Sequence, residues 1–177
     1  MTHGTVFWVT GLAGAGKTTI GTALYEKIKH EAVHTVLLDG DVLREVFGDD
    51  LGYSVEDRFM CSMRYSRLCR LLSIQGINVI CCTISMFEDV RKWNRDNISS
   101  YVEIYVKADY ETLAKRNQRD LYKNSAANVV GVSIDAQLPL SPHITIDNNG
   151  GMDISYHFDR IIKAVGMKSK VERQVHR

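Results

Sequence analysis

Proline is scarce in this chain. Only two occur in 177 residues, and no low-complexity run or internal repeat accompanies them. Nothing therefore reads as a linker, and one domain is expected over residues 1–166, followed by a polar, basic tail at 167–177 that reads as a frayed end. An excess of one charge is lacking too. Lys plus Arg number 22 against 21 Asp plus Glu, a net charge of +1, so no nucleic-acid partner is expected. No apolar run approaches the ~20 residues that cross a bilayer, so no membrane span is expected. No basic segment and apolar core of a secretory leader opens the chain, and a cytoplasmic location is the expectation. The four cysteines, Cys61, Cys69, Cys81 and Cys82, form no C-x-x-C pair, and no neighbouring histidines complete a zinc pattern. They are expected as buried, reduced thiols that pack as small hydrophobes.

What is present begins with GLAGAGKTTI, Gly11 to Ile20, directly after the apolar run TVFWVT. Gly11, Gly16, Lys17 and Thr18 fill the pattern G-x-x-x-x-G-K-T. In such a loop glycines let backbone N–H groups converge on phosphate oxygens, and the next helix presents its positive end. The lysine reaches the β- and γ-phosphates, and the threonine hydroxyl can ligate Mg²⁺.

Apolar runs alternate with amphipathic ones along the chain. Strands are predicted at Thr5–Thr10, Thr35–Leu38, Asn78–Thr83, Tyr101–Val106 and Ile144–Ile146. Helices are predicted from Lys17 to about His30, Ser54 to Gln75, Glu88 to about Ile98, Tyr110 to Gln118 and Ile154 to Val165. Ser54, Asp109 and Asp153 stand where helix N-caps belong. Strand–helix alternation predicts an α/β fold, a three-layer α/β/α sandwich on a mainly parallel five-stranded sheet. Residues 119–143 fit neither period and are long for an inert connection, so they are a lid candidate.

The loop motif alone leaves the nucleotide chemistry open. N-K-x-D of a GTPase is absent. D-x-x-G occurs as Asp49-Asp50-Leu51-Gly52 and Asp147-Asn148-Asn149-Gly150, a short pattern in neither case placed after the third strand. That strand runs into Thr83-Ile84-Ser85, without the carboxylate of a transporter or motor ATPase. The acids come instead after the second strand, as Asp39 and Asp41. Parallel strands end at one edge of the sheet, so both carboxylates should approach the phosphate loop. There they can hold Mg²⁺ through water and accept a proton from an attacking hydroxyl, or cap the following helix. Which of the two is the base stays open. Arg58, Arg64, Arg67 and Arg70 share one predicted helix, but Arg58 and Arg64 fall about 120° apart, so the four do not form one face. Arg67 and Arg70 are expected as solvated surface, and Arg44 and Arg58 as ligands of an acceptor anion.

At these residues the chain resembles the adenylylsulfate kinase family. The matching pieces are GLAGAGKTTI, LLDGDVLR, DDLGYSVEDR, RNQRDLY and VVGVS, in the family's order, from about Val6 to Asn149. The resemblance implies a P-loop kinase that passes the γ-phosphate of ATP to the 3′-hydroxyl of adenosine 5′-phosphosulfate. It implies ATP and Mg²⁺ as cofactors and a homodimer. Gly11, Gly14, Ala15, Gly16, Lys17, Thr18 and Thr19 then form the ATP loop, with Thr18 and Asp39 at the metal. Lys17, Asp39 and Asp41 are the catalytic set. Arg44, Tyr53 and Arg58 look like acceptor contacts, and Arg116, Arg119 and Tyr122 like nucleotide and lid contacts.

The departures lie on the acceptor side. The family's N-I-R-R asparagine is replaced by Cys61, which cannot stand in for an amide that donates and accepts. Its F-I-S-P-Y appears as Thr83-Ile84-Ser85-Met86-Phe87, with Ser85, Met86 and Phe87 at the acceptor positions. Its K-G-L-Y becomes Arg119-Asp120-Leu121-Tyr122. Its F-T-G-I-D becomes Val129-Val130-Gly131-Val132-Ser133, so Val129 replaces a phenylalanine that stacks on the acceptor's adenine. A donor side intact beside a changed acceptor side resembles the cytidine diphosphoramidate kinase branch, whose pyrimidine acceptor is smaller. A non-catalytic nucleotide-binding domain is the reading from another class, disfavoured by the intact Lys17, Thr18, Asp39 and Asp41. An ATPase or switch protein comes third.

Overall fold

The computed structural model describes residues 3–30, 32, 34–116, 130–131, 134–150, 157–159 and 161–162. Five strands, β1 (Val6–Thr10), β2 (Thr35–Asp39), β3 (Asn78–Thr83), β4 (Tyr101–Lys107) and β5 (Ile144–Asp147), form one sheet in the order β2-β3-β1-β4-β5. All four pairings are parallel, so the expected mainly parallel sheet is parallel throughout. Register aligns the strand ends: Thr10 faces Thr83 on one side and Tyr105 on the other, and Asp39 faces Cys82. The central strands are apolar on both sides because both sides are covered. Successive residues of β1 feed two different cores. Phe7 and Val9 pack with Ile20, Leu24 and Ile28 of α1 (Lys17–Lys29), while Val6 and Trp8 pack with residues of three other helices. This is the α/β/α sandwich.

Those three helices are α2 (Gly40–Val46), α3 (Val55–Ile74) and α4 (Glu88–Asn97). Helix α3 buries Cys61, Tyr65 and Cys69 at intervals of four, one stripe toward the sheet. Ser54 caps it as expected, accepting from the Asp57 N–H at 3.1 Å. Helix α5 (Tyr110–Arg116) packs Leu113 into the α1 side, and the Asp109 carboxylate caps it at the Thr112 N–H, 2.7 Å away. Residues 157–159 and 161–162 are helical; the rest of the helix predicted over 154–165, including the cap Asp153, lies outside the described residues, as does the tail. The short α2 is the element that periodicity did not reveal. It has seven residues, begins with glycine and buries only Leu43, too little for a helical pattern to register.

All four cysteines are buried and free, as expected. A charged cluster ties β4 to α4, with Glu103 and Arg91 buried and Arg95 and Glu88 exposed. Glu103, 1% exposed, receives Arg95 Nη1 at 2.9 Å and lies 3.7 Å from Arg91 Nε. Arg91 and Arg95 both also pair with Glu88. A single glutamate inside the apolar strand YVEIYVK was its one trace in the sequence. Among the described residues no helix is long and apolar enough to cross a membrane.

Candidate active site

The loop between β1 and α1 sits at the carboxyl edge of the sheet, beside the point where strand order reverses around β1. Gly14 and Gly16 hold φ of +76° and +96°, in the left-handed region that suits glycine. Gly16 is the N-cap of α1; no side chain caps it, and no acidic residue stands in the first turn. The N–H groups there are positioned to meet an anion, aided by the helix dipole.

Lys17 follows at the first position of α1. The residue is partly exposed, but its ammonium turns inward and donates to the Leu12 carbonyl at 2.9 Å. Burial of that end pushes its pKa down from 10.5 to about 8, against the pull of Asp41 and Asp39. Thr18 Oγ1 donates to Asp39 Oδ2 at 2.7 Å, which ties the loop to the end of β2. The other oxygen of Asp39 accepts the Asp41 N–H at 2.9 Å and so caps α2. One oxygen of this acid thus serves as the helix cap, and the other holds the Thr18 hydroxyl beside the phosphate loop. Thr18, Thr19 and Asp41 are exposed.

The turn that carries the two acids is held from below. The Tyr65 hydroxyl donates to the Gly40 carbonyl at 2.9 Å, and a Cβ added at Gly40 would meet the Cys82 carbonyl and Thr83 Oγ1 at 3.3 Å. Cys82 lies beneath Lys17, its thiol 3.5 Å from the Lys17 carbonyl. Burial, then the charge of Asp39, pushes its pKa up to about 12, so the thiol stays protonated.

Arg44 and Arg58 converge on Tyr53. Their guanidinium carbons lie 4.5 and 5.2 Å from the centre of its ring. Arg44 Nη1 donates to the Leu51 and Gly52 carbonyls at 2.9 and 3.0 Å, and Arg58 Nε to the Tyr53 carbonyl at 3.0 Å. Burial, then the neighbouring Arg44 charge, lowers the Arg58 pKa, while Asp41 opposes the shift. Arg64 is used elsewhere: it forms a two-pronged pair with Asp50 at 2.6 and 2.8 Å and lies over Phe47. Arg67 is exposed, and the exposed Arg70 donates to the Asn97 carbonyl. The four arginines of α3 thus do not share one face, as the helical angles predict.

The segment after β3 and the described end of the lid candidate meet over the phosphate loop. Met86 and Val130 pack with Tyr105, and Leu12 of the loop joins them. Gly131, at φ +85°, lies so close to Leu12 that an added Cβ would sit 2.8 Å from its Cδ2. A hollow of about 300 Å³ opens here, lined by Leu12, Gly131, Ile134, Asp135, Ala136 and Leu138. Ser85 is buried, and Phe87 packs edge-on against Phe59 at 5.6 Å. Arg116 reaches the opposite flank of the loop, with Nη1 3.5 Å from the Gly14 carbonyl. Arg119, Tyr122 and Val129 lie outside the described residues.

Gly11 and Ala15 are both buried within the loop. Sequence reasoning missed Leu12, whose carbonyl receives Lys17 and whose side chain meets Gly131, and Tyr65, which braces the acid turn. Leu12 lies inside the loop motif but at one of its unrestricted positions. Tyr65 shows in sequence only as a stripe residue of α3.

Comparison with known proteins follows the same lines. A family model described as adenylylsulphate kinase matches residues 3–147. The cytidine diphosphoramidate kinase of Campylobacter jejuni subsp. jejuni is 37% identical over 166 residues, covering 92% of this chain and 96% of that protein. The adenylyl-sulfate kinase of Gloeothece citriformis is 34% identical over 146 residues, covering 80% and 83% respectively. Among solved structures, the Mycobacterium tuberculosis APS kinase CysC in complex with AMPPNP and APS superposes with a TM-score of 0.84. It is 24% identical, and the match covers 94% of this chain and 99% of that one, a likeness of fold.

Proposed function

The chain belongs to the adenylylsulphate kinase family, and from that premise we propose that it passes the γ-phosphate of ATP to the ribose 3′-hydroxyl of a nucleotide acceptor, cytidine diphosphoramidate being the acceptor that fits best. The observation that carries the acceptor side is the pair of guanidiniums on Tyr53, at 4.5 and 5.2 Å. Two cations held this close repel each other. Arg44 Nη1 and Arg58 Nε also brace the turn ahead of α3 through its carbonyl oxygens. An anhydride with two charged or polar groups at the nucleotide's 5′ end would relieve that repulsion. Tyr53 itself stays more than half exposed, so its ring can be reached by a base or sugar.

On the donor side, the loop N–H groups would take the phosphates. Lys17 would exchange the Leu12 carbonyl for a phosphate oxygen and keep its proton there. Thr18 Oγ1 and Asp39 Oδ2, already 2.7 Å apart, fit a hard divalent ion that draws its other ligands from phosphate and water. Magnesium bound there would supply charge neutralisation for the transferred group. Asp41, exposed at the same edge, would accept the proton of the sugar hydroxyl, a reading supported by the engagement of Asp39 with Thr18 and the Asp41 N–H. The lid residues Arg119 and Tyr122 would cover the phosphates and keep water out.

Cytidine diphosphoramidate is favoured over adenosine 5′-phosphosulfate by the acceptor-side replacements Cys61 and Val129, and by similarity to the Campylobacter kinase along nearly its whole length. Adenosine 5′-phosphosulfate is the second reading, supported by the family match. A coupled assay of ADP release, run with each acceptor and with none, tests the proposal. ADP release that rises with cytidine diphosphoramidate supports it. A rise with adenosine 5′-phosphosulfate alone moves the assignment to the second reading. No rise with either leaves a nucleotide-binding domain without transfer.

A further inference from the structure

The stretch Asp147-Asn148-Asn149-Gly150 has no role in the account so far. We propose that Asn148 is a positioning residue that aims the Gly16 N–H at the phosphates of ATP. This rests on the reading of the loop as an ATP site.

Asn148 stands just beyond β5, at the same sheet edge as the phosphate loop. Its own N–H donates to the Lys107 carbonyl at 2.7 Å, which continues the β4–β5 pairing one step past Asp147 and fixes the root of the side chain. Its side-chain Nδ2 donates to the Ala15 carbonyl at 2.8 Å. A trans peptide is planar, with its C=O and N–H pointing in opposite directions. Holding the Ala15 carbonyl toward β5 therefore turns the Gly16 N–H the other way, into the cradle. Gly16 is shaped to this contact. At φ +96° an added Cβ would lie 2.4 Å from Asn148 Nδ2, so a side chain at position 16 would push the amide off its carbonyl. The next residue braces the same side, since Asn149 Oδ1 accepts the Asp109 N–H at 2.8 Å and Asp109 caps α5. From α5, Arg116 reaches the Gly14 carbonyl. Two successive loop carbonyls are thus held from one flank, and Asn148 has the shorter and better placed bond.

The test is titration calorimetry of the full chain with ATP, tripolyphosphate and adenosine, on wild type, Asn148→Ala and Asn148→Asp. Alanine removes the donor. Aspartate keeps the size, but its carboxylate cannot donate to a carbonyl and adds negative charge beside the phosphates. ATP and tripolyphosphate are expected to bind Asn148→Ala about five- to tenfold more weakly, the scale of one hydrogen bond, and Asn148→Asp more weakly still. Adenosine binding, the KM for the acceptor and turnover at saturating ATP should stay at wild-type values. Variants that bind tripolyphosphate as wild type does overturn the role of Asn148 alone. So does an equal loss of adenosine binding, which places the residue at the base. A wild-type chain that binds neither ATP nor tripolyphosphate overturns the ATP reading and this role with it.

Discussion

Lys17 carries a cost that its proposed contact with phosphate would explain. An ammonium drawn inside the loop and held by a carbonyl is poorly solvated, which is why its pKa falls to about 8. The unfolded chain holds that proton up to about pH 10.4. Between those two values the unfolded state binds more protons than the folded one, so this group makes the folded chain more stable as pH rises through the window. Phosphate binding needs the charged form. ATP affinity should therefore weaken as pH rises above about 8, with proton uptake on binding, measurable by calorimetry in buffers of different ionisation heat. Lys17→Met should abolish transfer and remove both the proton uptake and the stability rise. A Lys17→Met variant that keeps the same pH dependence would show that another group titrates.

Asp41 gives the second test at this scale. Asp41→Asn should lower kcat by about 10²–10⁴, the usual worth of a general base, and leave the Kd for ATP close to wild type. An unchanged turnover would shift the base to Asp39. These residues were legible in sequence because the motif fixes Lys17 and Thr18, and because strand ends fix where an acid after β2 must lie. Asn148 and Tyr65 were not. Each acts through a single bond to a distant carbonyl, and such bonds depend on tertiary placement rather than on local spacing.

Among the elements, the strands and long helices were readable because each has one clear period or one buried run. Helix α3 shows how far that reaches: its cap and its length follow from spacing, as does the separation of its arginines over more than one face. Helix α2 shows where it stops, since it is held by the Asp39 cap and by Tyr65 rather than by an apolar face. The tie between β4 and α4 is a different kind of contact. Glu103 is buried with Arg91, and burial raises its pKa while the two arginines oppose the rise. Glu103→Ala would leave Arg91 charged and without that partner in the interior. Arg91 keeps its two bonds to Glu88, so a loss of about 1–3 kcal/mol is expected in denaturant unfolding, with the Kd for ATP unchanged in the folded fraction. A loss below about 1 kcal/mol would show that Glu88 alone neutralises the cluster.

At the scale of the molecule, one edge of one sheet gathers the residues that the proposed transfer would use. The order β2-β3-β1-β4-β5 sets the phosphate loop between the acid turn on one side and the Arg116 and Asn148 flank on the other. On the proposed reading the acceptor contacts, from α2, α3 and the segment after β3, would fall on the acid side, so that donor phosphate and acceptor sugar would meet where Asp41 stands. That arrangement was legible as soon as the strand ends were known. For the acceptor the sequence offers only a set of replacements, because the residues proposed to touch its base come from three separate segments.

The most direct test follows the label from γ-labelled ATP in a single turnover with cytidine diphosphoramidate, and in parallel with adenosine 5′-phosphosulfate. The account predicts that the label appears as a phosphomonoester on the ribose 3′ position of the cytidine nucleotide, faster than inorganic phosphate forms. Label that goes only to inorganic phosphate with both acceptors would contradict it.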